Sequence, residues 1–213
     1  MSGPARMETT ERRGAAEERG RTRAQALGAA AIGGVALGAG ALLGRWMRPE
    51  PTAASPSRAT DVRILNFLLI LEEAQAAFYD AALHGRGLRG ELLEFAGTVA
   101  PQEREHVAFI RKRLGRDAQS APRFDFSHAA SDAGRFSSAA INLEEATAAA
   151  YIGQGASLTR EVVQDAASIV AVEARHAAWI RDLAGTDPAP RAADPGRSAD
   201  DVLGELRKNG FMR

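Results

Sequence analysis

At 213 residues the chain exceeds one average domain by a margin that needs a place of its own. Lys and Arg total 27 and Asp and Glu total 27, a zero net charge that excludes a strongly basic nucleic-acid binder. With no Cys there is no disulfide scaffold, thiolate zinc site, iron–sulfur cluster or cysteine nucleophile, so any metal is held by oxygen and nitrogen, and only 4 His are present.

Residues 1–23 carry six Arg and four Glu without apolar periodicity, so no packed structure is expected there. The next 21 residues, Ala24 to Gly44, are uncharged and rich in Ala and Gly, and they end at Arg45-Trp46-Met47-Arg48. A basic stretch before an apolar run is the layout of an export signal, with Ala39-Gly40-Ala41 as a cleavage site. The run is equally long enough for a retained membrane anchor with Trp46 at the interface, and an Ala/Gly-rich linker is the third reading. Pro49 to Pro56 reads as a solvated linker. Residues 1–60 are therefore assigned to export or anchoring, with the folded domain starting near Asp61.

Four helical segments follow, each bounded by Gly- or Pro-containing breaks. The first is expected from Asp61, its candidate cap, to about Leu83, and the second from Leu88 to Leu114. Pro101 lies inside the second and is expected to kink or restart it. After a polar stretch from Arg116 to Ser131, the third runs from about Asp132 to Gln154 and the fourth from Leu158 to Ala184. Short first and third connections make two antiparallel hairpins, and the long middle one must cross the length of a bundle. The predicted fold is thus all-α, a four-helix bundle over 61–184. Residues 185–213 are expected to form a linker and a short helix, capped by Ser198, that docks back through Val202, Leu203, Leu206 and Phe211, with a partner-binding tail as the alternative.

The two halves repeat. Leu71-Glu72-Glu73-Ala74, followed by Tyr79, returns as Leu143-Glu144-Glu145-Ala146, followed by Tyr151. Glu103-Arg104-Glu105-His106, then Ile110-Arg111, returns as Glu173-Ala174-Arg175-His176, then Ile180-Arg181. The same order at nearly the same offset points to an internal duplication. Glu and His three apart share a helix face and can reach one ion. One Glu from each of two helices, with Glu-x-x-His from each of the other two, is the ligand set of di-iron or di-manganese carboxylate bundles. Carboxylates and imidazoles suit iron or manganese, whereas a structural zinc site prefers sulfur. The alternative is a solvated Glu-rich face. The surrounding Ala, Leu and Ile turn these faces inward instead.

The segments ILNFLLILEEAQAAFYDAAL, LEEATAAAYIG and AASIVAVEARHAAWIRDLAG resemble helix signatures of the ferritin-like superfamily, especially its exported ferritin-like domain proteins, over about 61–184. The resemblance implies Glu72 and Glu144 as terminal metal ligands, Glu103 and Glu173 as the bridging pair, and His106 and His176 as imidazole ligands. The family often places Asp or Glu just before Glu-x-x-His to support the opposite histidine; here Gln102 and Val172 stand there. Tyr79 and Tyr151 are candidates to hydrogen-bond a ligand carboxylate or pass an electron, beside the ordinary role of a core ring with a locally satisfied hydroxyl. Trp179 is expected to pack, and His84 and His128 to lie in loops.

The expected function is a di-metal, most simply di-iron, carboxylate protein that oxidises Fe(II) or reduces O2 or peroxide outside the cytoplasm, in the periplasm or tethered to the membrane through residues 24–44. The alternatives are a manganese peroxidase- or catalase-like protein and a non-catalytic, stress-related module with a vestigial site. A monomer or small oligomer is expected rather than a 24-subunit cage, which has no obvious place for a long N-terminal segment.

Overall fold

In the computed structural model residues 55–212 are described, and the expected signal or anchor at 24–44 lies outside them. Among the described residues no helix is long and apolar enough to cross a membrane. The helices are α1 (Arg58–His84), α2 (Gly90–Leu114), α3 (Ala133–Gly155), α4 (Arg160–Leu183) and the short α5 (Ala199–Lys208). The closest packing is α1 on α2 and α3 on α4, and the two hairpins join through α1 against α3 and α2 against α4.

Helix starts differ from expectation in an instructive way. Ser57, not Asp61, caps α1 by accepting from the Thr60 amide. Asp61 sits one turn inside α1 and reaches across the bundle end instead. Its two oxygens accept from the Thr159 amide at 2.9 Å and the Thr159 hydroxyl at 2.7 Å, fixing the residue that caps α4. A carboxylate at two adjoining helix N-termini also meets both positive dipole ends. Pro101 does not restart α2, which continues without interruption to Leu114. The carbonyl that loses its donor belongs to Gly97, which is exposed, so its loss carries no burial penalty. The helix stops at Gly115, whose φ of 57° is the left-handed region that glycine adopts at little cost.

The crossover runs the bundle's length. It leaves α2 beside α1's first turns, where Asn66 bonds the Asp117 carbonyl and the Gln119 amide. It arrives beside α1's last turns, where Phe126 packs edge-on against Phe78 at 5.4 Å. Two apolar layers result. Ile64, Leu65, Leu68, Leu69, Ile110 and Leu114 fill one end, and Phe78, Tyr79, Phe95 and Phe136 fill the other. Each fully buried side chain of this size contributes about 1.5–3 kcal/mol of transfer free energy. Between these layers lies the level of Glu72, Glu103, Glu144 and Glu173.

The C-terminal segment folds back onto the bundle. Ser198 caps α5, Val202 and Leu206 are buried, and Phe211 packs on Phe126 at 5.1 Å. The Arg197 amide donates to the Ala149 carbonyl at 2.8 Å, and Phe124 and Met212 form an antiparallel bridge. The segment comes so close to α3 that a Cβ on Gly153 would stand 2.1 Å from the Arg197 carbonyl oxygen. Gly153→Ala is accordingly expected to cost about 1–3 kcal/mol and to loosen the tail. Limited proteolysis between residues 186 and 198, faster in the variant than in the wild type, checks it.

Candidate metal centre

Four carboxyl side chains, one from each long helix, meet at mid-bundle. Glu72, Glu103, Glu144 and Glu173 are all 0% exposed, and His176 is 4% exposed. The His106 side chain is 12% exposed. All six residues expected as ligands therefore converge. Their neighbours Glu73 and Glu145, about 100° further round their helices, instead pair with Arg111 and Arg181 respectively. These arginines occupy matching places in the repeat, so each hairpin uses one Glu of its pair as a clasp and turns the other inward.

Two groups of ligand atoms form, each with its members within 4.8 Å of one another: Glu72, Glu103, His106 and Glu173, and Glu103, Glu144, Glu173 and His176. Glu103 and Glu173 belong to both. His106 Nδ1 lies 3.2 Å from Glu72, 3.5 Å from Glu103 and 3.1 Å from Glu173. His176 Nδ1 lies 3.1 Å from Glu103 and 3.5 Å from Glu144. Yet both oxygens of Glu103, one of Glu173 and the His176 Nδ1 make no acceptable hydrogen bond among the described residues. Buried polar atoms are rarely left so. Their crowding without directed hydrogen bonds is what lone pairs aimed at a common cation require, and the donor set fits divalent iron or manganese.

The tyrosines are more than core rings. The Tyr79 hydroxyl donates to Glu144, and that of Tyr151 to Glu72 at 2.5 Å, each crossing to the opposite hairpin. Of the two roles expected, the hydrogen bond to a candidate ligand carboxylate is the one formed, in place of a locally satisfied hydroxyl. Each bond occupies one oxygen of a carboxylate and leaves the other turned towards the histidines. The Tyr79 ring meanwhile packs edge-on against Phe78 and Phe95. Trp179 packs perpendicular to Phe95, with ring centroids 5.0 Å apart, and is 39% exposed. His84 closes α1 at the surface, and His128 is exposed in a turn.

Two participants were missed in the sequence. Gln75, fully buried, donates from Nε2 to Glu144 and to Glu173, at 3.0 Å each, and accepts the Thr147 hydroxyl at 2.7 Å. The signal was available: Gln75 and Thr147 stand at the same place after their Leu-Glu-Glu-Ala motifs, one turn from the inward Glu. Gln102, by contrast, does support the opposite histidine, its Oε1 accepting from His176 Nε2 at 2.8 Å.

Burial dominates the electrostatics. It pushes Glu72 up to about 7 against the opposing hydrogen bond of His106. It pushes Glu173 up to about 8, with the charges of Glu72 and Glu144 adding to the rise, and it raises Glu144. Tyr79 and Tyr151 are driven well above 10 by burial and by the carboxylates they bond. Burial opposes charge on the histidines, but the close carboxylates of Glu103, Glu173 and Glu72 raise His106 to about 12. Those of Glu103 and Glu144 raise His176 to about 10. In the metal-free fold the cluster therefore holds protons that an unfolded chain releases near 4.5 for Glu and 6.5 for His.

Because the unfolded state then binds fewer protons, stability of the metal-free protein falls as pH rises from about 4.5 through about 8 and beyond. Metal affinity follows the opposite course, since the same protons compete with the cation. Urea unfolding of chelator-treated protein is expected to show a lower midpoint at alkaline than at mildly acidic pH. Calorimetric titration with Mn(II) should show tighter binding and proton release over that range.

A family model described as a ferritin-like domain matches residues 60–186. Comparison with curated proteins returns no match.

Proposed function

Since the chain belongs to the ferritin-like domain family, we propose that it is a di-iron carboxylate protein that oxidises Fe(II) with O2 or peroxide. The observation that carries the reading is the sharing of Glu103 and Glu173 between two four-residue ligand groups, each completed by one further Glu and one His. A single ion would need only one such group. Four carboxylates balance two divalent cations, so burying the cluster costs least when both are bound.

The metals supply a redox couple and Lewis acidity. Everything else falls to the chain. Tyr79 and Tyr151 hold Glu144 and Glu72 in orientation, while Gln75 ties Glu144 to Glu173. The aromatic layer of Phe78, Phe95 and Phe136 walls off one end of the site and the leucine layer the other. Side reactions with bulk water are thereby limited. His106, the most exposed of the six ligand candidates, marks the side from which Fe(II) arrives as substrate.

The apolar run at 24–44 supports an exported or membrane-tethered location, and the chain is read as a monomer or small oligomer. Aerobic addition of Fe(II) to the purified full-length protein tests the activity. Stoichiometric iron binding with oxidation faster than in buffer is expected; the absence of both would remove the oxidase reading. Native protein that carries manganese and decomposes peroxide would move the same ligand set to the manganese alternative.

A further inference from the structure

The duplication places ligands symmetrically but their supports unequally. At the position where α2 carries Gln102, α4 carries Val172, which has no hydrogen-bonding side chain. His176 is consequently anchored at Nε2 by Gln102, with Nε2 as the donor, and its Nδ1 is left facing the carboxylates, free to ligate once its proton is displaced. Among the described residues no side chain holds the Nε2 of His106, whose ring is the more exposed of the two, at 12% against 5%. Gln75 and Thr147 break the symmetry in the same sense. The Gln75 amide fixes Glu144 and Glu173, whereas Thr147 spends its hydroxyl on Gln75 and reaches neither Glu72 nor Glu103.

We infer that the two metal positions are unequal by construction: a divalent cation binds more tightly beside Glu144 and His176, and a second binds more weakly, and exchanges more readily, beside Glu72 and His106. The inference rests on the di-metal reading above. Gln102 and Gln75 are positioning residues. They hold ligands in place before the ion arrives, so less orientational freedom is lost on binding at that end. Outer contacts of this kind are worth about 10–100-fold in metal affinity, and both favour the same end.

Titration of the metal-free full-length chain with Mn(II), read by calorimetry, is expected to show two steps about 10-fold or more apart. Glu144→Ala should remove the tighter step and Glu72→Ala the weaker. Gln102→Val should weaken the tighter step about 10-fold while sparing the other, and Gln102→Glu, which still offers an acceptor, should restore it. Val172→Gln, which leaves Gln102 in place, should tighten the weaker step and carries the test if Gln102→Val fails to fold. Two equal steps in the wild type, or equal loss at both steps in Gln102→Val, would overturn the inequality. Failure to bind any Mn(II) would instead overturn the di-metal reading on which it stands.

Discussion

Glu173→Gln is expected to abolish paired metal binding while leaving the metal-free fold intact. Glu173 belongs to both ligand groups, so its neutral isostere withdraws a donor and a negative charge from each position at once. The loss should exceed the ~100-fold upper end seen when an outer contact alone is removed. Replacing Glu72 or Glu144 should instead disable one position. The metal-free protein should respond in the other direction. Burial holds Glu173 up at about 8, and the charges of Glu72 and Glu144 add to it. Above that pH the wild-type fold must accommodate one more buried charge than the variant does. Glu173→Gln should therefore be the more stable of the two apoproteins at alkaline pH and should show a shallower decline of stability with pH. Metal content after dialysis and urea midpoints at two pH values check both halves.

The second large effect is on heat stability. An ion that binds only the folded chain stabilises it by about 2.7 kcal/mol at a free concentration of 100 Kd. Two positions give about 5 kcal/mol, and each kcal/mol moves Tm by about 2–4 °C in a domain of this size. Loading the chelator-treated protein with Fe(II) anaerobically, or with Mn(II), should raise Tm by roughly 10–20 °C. The gain should shrink towards acidic pH, where Glu72 and Glu173 retain protons that the metal must displace. A scan that shows the same Tm with and without metal would leave the buried carboxylates without a partner.

Much of the bundle was legible because helical repeats speak through period and spacing. Glu103 with His106, and Glu173 with His176, could be placed on common faces from their three-residue separation alone. The recurrence of Leu-Glu-Glu-Ala paired the halves. Choosing Glu72 over Glu73 needed a resemblance, and the fold supplies the physical reason: Glu73 is claimed by Arg111 at the rim, as Glu145 is by Arg181. What stayed hidden were contacts between helices far apart in sequence. Nothing in a one-dimensional pattern says that Tyr79 bonds Glu144, 65 positions on, or that Asp61 serves Thr159 rather than its own helix. Gln75 differs: it shares its place in the repeat with Thr147, but a polar residue on an otherwise inward face reads as an edge position until its depth is known. Pro101 does not restart its helix because the cost of a proline depends on whether the abandoned carbonyl is buried, and Gly97 is exposed.

Anomalous X-ray scattering at the iron or manganese edge, from crystals of the metal-loaded protein, locates the ions directly. Two peaks per chain are expected, one among Glu72, Glu103, His106 and Glu173 and the other among Glu103, Glu144, Glu173 and His176, with Glu103 and Glu173 touching both. A bundle centre without a peak, or a single ion that leaves Glu103 and Glu173 uncoordinated, would contradict the di-metal reading.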